Sequence, residues 1–295
     1  MAGMDATEEE RGHKYGHILK RDKFTCRTPS CSRTDTLQVH HIVGRGMVKT
    51  GFKLGEAAER VLKQALAVTE LEQSDIGYVA STGYGRFQVP FRDVNVTDLT
   101  ASARGARFLF PNTNTILDVG GQTMKASRLD DGGKVKSFRL NDKCAAGTGA
   151  FLEKTARYMG FNTEEIGPLA ATSKTIVPIS GVCAVFAESE VINCLSQGSA
   201  PADIMQGAIV SLVDRSVQLM RRVQMEPEFT LVGGILRFES MANVVREKLG
   251  MEVNVPPGDS VQYVAALGAA LLARHRLQKI SEPGDLSEPG DRVAA

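Results

Sequence analysis

Thr115-Ile-Leu-Asp-Val-Gly-Gly-Gln-Thr-Met-Lys125 sets the fold. Thr115–Val119 has the β-branched and apolar run of a strand, and Gly120-Gly121 turns the chain tightly. Met124–Leu129 then reads as a returning strand, Asp130–Gly133 as a hairpin turn and Val135–Leu140 as a third strand. Asp118 closes the first strand, where a carboxylate can hold Mg²⁺ through water. The two glycines after it let backbone amides approach a phosphate. The same four residues also make an ordinary hairpin turn, and alone they leave both readings open.

Working outward, Phe229–Val232 is a second apolar strand, and it runs into Gly233-Gly234. Helices are expected at about 149–159, 184–197, 201–224, 239–249 and 262–274. The 201–224 helix carries Ile204, Ala208, Leu212, Val213, Val217 and Met220 on one side. Upstream, Leu54, Ala58, Val61, Leu62, Ala65 and Leu66 share a helical face. Ile76–Ser81 reads as a short buried strand, closed by the glycine turn 82–86. Glycine loops that repeatedly follow strands, facing one cleft, suit a phosphate-bearing ligand. The expected class is α/β with a nucleotide cleft.

The 295 residues, 42% hydrophobic, suffice for a sizeable core and predict about two domains. Thirty-five basic against 34 acidic residues argue against a chain-wide polyanion-binding surface. Neither a membrane-length apolar run nor a signal-peptide core is present, so the expectation is a cytoplasmic protein. The repeated SEPGD at 281–285 and 287–291 predicts a disordered tail over 277–295.

Five cysteines divide unevenly along the chain. Cys144 precedes the glycine-rich Gly147-Thr148-Gly149 turn that opens one helix, and Cys183 opens another 39 residues later. Thiolates at helix N-termini lie at the positive end of the dipole and suit an anionic metal–sulfur cluster. Two cysteines are half of a four-cysteine site, which a two-fold dimer completes; two buried free cysteines are the competing reading. Cys194 lies eleven residues beyond Cys183, roughly 16 Å along a helix, too far for one cluster, and reads as core packing.

Seven stretches together resemble one family over about residues 50–275: STGYGR (81–86), ARGARFLFP (103–111), ILDVGGQTMK (116–125), LNDKCAAGTGAFLE (140–153), CAVFAESEVI (183–192), LVGGI (231–235) and ALGAAL (266–271). The family comprises the ATP-dependent activators of 2-hydroxyacyl-CoA dehydratases and the ATPase subunits of benzoyl-CoA reductase. The resemblance implies a two-lobed actin/sugar-kinase/chaperone-ATPase-like fold, here with an incomplete N-terminal lobe at 47–113 and a C-terminal lobe at 114–276. It implies ATP and Mg²⁺ in the cleft, Asp118 and Gln122 as catalytic residues, and Gly120, Gly121, Lys125, Gly147, Thr148, Gly149, Gly233 and Gly234 binding the nucleotide. It further implies one 4Fe–4S cluster held by Cys144 and Cys183 of each of two subunits, in a homodimer or a heterodimer with a related ATPase subunit. A ferredoxin or flavodoxin would donate the electron, and a reductase or dehydratase would receive it. QTMKASRLDDGGKV and FLEKTARYMG incline the resemblance slightly toward benzoyl-CoA reductase. A sugar-kinase-like phosphotransferase gives no reason for Cys144 and Cys183.

Residues 1–46 depart from that pattern. They hold His13, His17, His40 and His41 with Cys26 and Cys31, and resemble the front half of an HNH endonuclease. Carried over, His41 is the general base, His40 a metal ligand, and Cys26 with Cys31 a structural zinc pair. Two cysteines are half a zinc site, and the next histidine is His275, so the residues favour a non-functional graft over a nuclease. A metal-dependent nucleic-acid-binding protein or nuclease with a degenerate ATPase-like body is the alternative, and nucleic acid is not the expected partner. The family's opening Gly-Ile-Asp-x-Gly-type phosphate loop is missing, which predicts weak or absent ATP hydrolysis.

Overall fold

The computed structural model describes residues 42–142, 144, 147–179 and 184–281. The expectations for His13, His17, Cys26, Cys31, His40, His41, Cys183 and most of the tail therefore lie outside the described residues. The described chain forms two compact units, one over Thr97–Gly268 and one over the residues up to Val96 together with those from Ala269.

In the smaller unit α1 (Leu54–Leu66) buries Ala57 and Ala65 and leaves its other apolar residues half-buried. Its strands are β1 (Ala80–Ser81) and β2 (Val94–Asn95), paired in parallel. The strand expected at Ile76–Ser81 is thus only two residues long. The Asp93 carboxylate accepts from the Val79 amide at 2.6 Å, so a side chain closes the ladder where a longer strand would continue. The 82–86 turn forms as expected: Gly83 takes φ +81°, and the Ser81 hydroxyl donates to the Arg86 carbonyl at 2.7 Å.

The larger unit begins with α2 (Asp98–Leu109), which the sequence reading did not expect. Its buried positions are three alanines, a serine and a glycine, too small to give a clear periodic signal. Then come β3 (Thr115–Val119), β4 (Met124–Leu129), β5 (Val135–Asn141), α3 (Gly149–Tyr158), α4 (Ile166–Ala171), α5 (Ala184–Ser196), α6 (Pro201–Arg221), β6 (Phe229–Val232), α7 (Glu239–Leu249) and α8 (Val264–Ser281). The boundary between the units falls inside α8, after Gly268. The last helix runs seven residues past the expected Arg274, into the segment expected to be tail. Arg276, Leu277, Gln278 and Lys279 are good helix formers, and Pro283 disfavours continuation.

The sheet order is β5-β4-β3-β6, with β3 antiparallel to β4 and parallel to β6. Alternation along β3 assigns its two faces. Leu117 and Val119 join Met124, Leu231 and the buried face of α6, including Ile204, Ala208 and Leu212. Ile116 joins Leu129 and Val232 under Ala103 and Ala106 of α2 and Val264 of α8. Every residue of β6 is buried, because helices cover both faces of the sheet.

Candidate functional site

Asp118 lies at the C-terminal end of β3, directly across the ladder from Lys125 on β4. The Lys125 ammonium stands 3.7 Å from the Asp118 carboxylate and makes a closer ion pair with Asp98, in the first turn of α2. Burial pushes the Asp118 carboxyl above its ordinary value; Lys125 offsets part of this and Asp98 adds to it. Burial pulls the Lys125 ammonium down, but the two carboxylates outweigh it and hold the group above its ordinary value.

After Asp118 the chain turns through Gly120, whose amide donates to the Thr123 carbonyl at 2.9 Å. Gly121 and Gln122 are exposed at the tip. The Gly120 and Gly121 carbonyls accept from the amides of Gly149 and Ala150, at 2.9 and 2.7 Å. The glycine turn and the start of α3 are therefore one hydrogen-bonded unit. A methyl group at Gly149 would lie 2.6 Å from the Ile235 side chain, so glycine is what lets α3 approach. Gly233 reaches φ +103°, and a Cβ there would lie 2.4 Å from the Val119 carbonyl and 2.8 Å from an Asp118 oxygen. Gly120, Gly121, Lys125, Thr148, Gly149, Gly233 and Gly234 thus gather with Asp118 at the C-terminal ends of β3 and the parallel strand β6. Open α/β sheets bind ligands at that end. The Asp-Val-Gly-Gly stretch forms the hairpin turn between β3 and β4.

Cys144 sits after β5, five residues before α3 begins at Gly149. The Asn141 side chain clamps its backbone from both sides, accepting from the Cys144 amide at 3.3 Å and donating to the carbonyl at 3.1 Å. The Gly147 amide donates to the same carbonyl at 3.3 Å. Arg215, on α6, directs its guanidinium at the Cys144 sulfur, 3.8 Å away. A half-buried thiol with a fixed backbone and a cation beside it suits one ligand position of an anionic cluster. Cys194 is half-buried against the apolar core, in keeping with a packing role. Among the described residues, no three His, Cys, Asp or Glu side chains group as a metal site. No helix among them is long and apolar enough to cross a membrane.

Sequence reasoning missed Asp98, Asn141 and Arg215. Asp98 carried one local signal: Thr97 caps α2 by accepting from the Thr100 amide at 3.2 Å, so Thr-Asp-Leu-Thr marks a helix start with an acid in its first turn. Asn141 stood inside the quoted LNDKC stretch without a role. Arg215 had no local signal.

An activator of lactoyl-CoA dehydratase from Anaerotignum propionicum is 41% identical over 238 residues, 81% of this chain and 91% of that protein. One of the subunits of benzoyl-CoA reductase from Thauera aromatica is 34% identical over 237 residues, 79% of this chain and 83% of that protein. The solved activator of the 2-hydroxyisocaproyl-CoA dehydratase from Clostridium difficile, with bound ADPNP, has a TM-score of 0.73 at 36% identity, covering 83% of this chain and 88% of that one. The architecture is the actin/sugar-kinase/chaperone-ATPase-like fold that the motifs implied. The family model for these ATPases matches residues 40–273, a span that takes in both glycine loops, Cys144 and Cys183. The chain belongs to the BadF/BadG/BcrA/BcrD ATPase family.

Proposed function

We propose that the chain is an ATP-dependent activator subunit that passes a low-potential electron to a partner enzyme, a 2-hydroxyacyl-CoA dehydratase or a benzoyl-CoA reductase. Asp118 and Gln122 would serve the Mg²⁺ and the terminal phosphate of ATP. Gly120, Gly121, Lys125, Gly147, Thr148, Gly149, Gly233 and Gly234 would hold the nucleotide. Cys144 and Cys183 would supply this chain's half of a 4Fe–4S cluster shared across a homodimer or heterodimer. When bound, ATP supplies a phosphoanhydride to hydrolyse and the cluster a one-electron carrier.

The single observation that carries the reading is the pair of hydrogen bonds from Gly149 and Ala150 to the Gly120 and Gly121 carbonyls. They join the phosphate-side turn to the helix that follows Cys144. A shift of that turn moves the start of α3, and with it the segment bearing the cysteine. Asn141 holds Cys144 to the end of β5, so the sulfur is suspended between a sheet edge and a helix tied to the glycine turn. Small displacements between packed elements are the usual means of such coupling.

Anaerobic purification tests the proposal. The expected result is a brown protein with iron and sulfide, both lost in Cys144→Ser while the chain stays folded by circular dichroism. Zinc without iron, with DNA cleavage lost in His41→Ala, would instead support the nuclease-like alternative.

A further inference from the structure

The ion pairs around Asp118 hold more than a phosphate loop needs. Asp118 and Lys125 face one another across the β3–β4 ladder, close enough for a lysine and an aspartate to pair without help. Left alone, that pair would neutralise the carboxylate meant for a hydrated cation. Instead the ammonium is shared: it sits closest to Asp98 and keeps a longer ion pair, 3.7 Å, with Asp118.

Asp98 is well placed to compete because its helix is pinned. Thr97 caps α2, and the second Asp98 oxygen accepts from the Leu99 amide at 3.0 Å. Along the same helix, a Cβ at Gly105 would lie 2.0 Å from the Val264 carbonyl. A Cβ at Gly268 would lie 1.7 Å from the Ala101 carbonyl. Two glycines thus bring the helix backbones into direct contact and hold α2 at a fixed height over the sheet. This accounts for the ARGARF and ALGAAL stretches, which no phosphate chemistry explains.

We propose that Asp98 is a positioning residue: it draws the Lys125 ammonium toward itself, so that Asp118 is left with the longer of the two ion pairs and stays available to hydrated Mg²⁺. The inference rests on the ATP and Mg²⁺ reading of Asp118 and deepens it. With Asp98 in place the ammonium is divided between two carboxylates, and Asp118 holds the weaker share. Without it Lys125 and Asp118 close into a neutral pair that a divalent cation must break.

The test measures ADPNP affinity by calorimetry, with Mg²⁺ and then with EDTA, and takes the ratio. Any direct contact of Lys125 with phosphate cancels in that ratio, leaving the metal's share. Asp98→Asn is expected to lower the ratio about tenfold, since a neighbouring opposite charge shifts a carboxylate's availability by a factor of this order or more. Asp98→Glu should keep it near wild type. The double variant Asp98→Asn with Lys125→Met removes the competing ammonium and should recover it. Melting curves establish that each variant is folded.

A wild-type ratio in Asp98→Asn, or a double variant no better than Asp98→Asn, overturns the inference and leaves the nucleotide reading standing. Wild-type protein that binds no ADPNP in either condition overturns both.

Discussion

Gly233→Ala is the sharpest probe of the candidate site. At φ +103° and ψ 156° the residue occupies a backbone region that side chains avoid, and an alanine there is strained by about 1–3 kcal/mol. The added methyl would also lie 2.4 Å from the Val119 carbonyl oxygen, 2.7 Å from its carbon and 2.8 Å from an Asp118 oxygen. Two of these neighbours are backbone in the middle of a buried sheet, so they give way only by moving β3. Overpacking of this kind costs about 1–3 kcal/mol more. The middle of the combined range is about 4 kcal/mol, a fall in Tm of roughly 8–16 °C for a unit of this size. The assay is thermal unfolding followed by circular dichroism, with Gly121→Ala as control. A Cβ at Gly121 meets nothing within 4 Å, so that variant should melt close to wild type. Calorimetry should also find ADPNP binding lost in Gly233→Ala, because the methyl pushes on Asp118 itself. A Gly233→Ala protein that melts within about 2 °C of wild type would refute the close-approach argument.

Asp118→Asn is expected to raise the Tm of nucleotide-free protein at pH 7 while abolishing Mg²⁺-dependent ADPNP binding. Burial holds the folded-state carboxyl above the unfolded 3.8, so its ionised form opposes folding, and increasingly so as pH rises through the folded value. A lower Tm would count against this. Asp203 behaves in the opposite sense. Amides of Thr175 and Lys174 and the Ser173 hydroxyl hold its carboxylate down to about 2, so its stabilisation is complete above about pH 4 and disappears as pH falls toward about 2. Asp203→Ala should flatten the acid limb of urea stability across that interval, and an unchanged limb would refute the assignment.

Much of the architecture follows from local pattern. β3 and β6 begin and end as their apolar runs dictate, β4 follows from the turns on either side of it, and the face named along 201–224 is the buried face of α6. These elements are legible because a strand or helix covered on both sides leaves a long apolar record. Elements built from small residues or short pairings were not. α2 is alanine-rich where it meets the sheet, and β1 keeps two residues because its partner offers only two. Of the candidate site, the glycines and Asp118 were legible since tight turns after strands require particular residues. The ionic and polar surroundings of Lys125 and Cys144 were not.

The sequence by itself determined which residues stand at strand ends, where glycine must lie, and that Cys144 leads toward a helix. Those are properties of neighbours in the chain: periodicity, backbone freedom and helix polarity. Tertiary structure alone decided which charges meet. Lys125 pairs with Asp98 and Cys144 receives Arg215, 71 residues away, because α2 and α6 dock on opposite faces of one sheet. A side-chain cation can face many partners at such separations, and only the docking of helices on the sheet selects one.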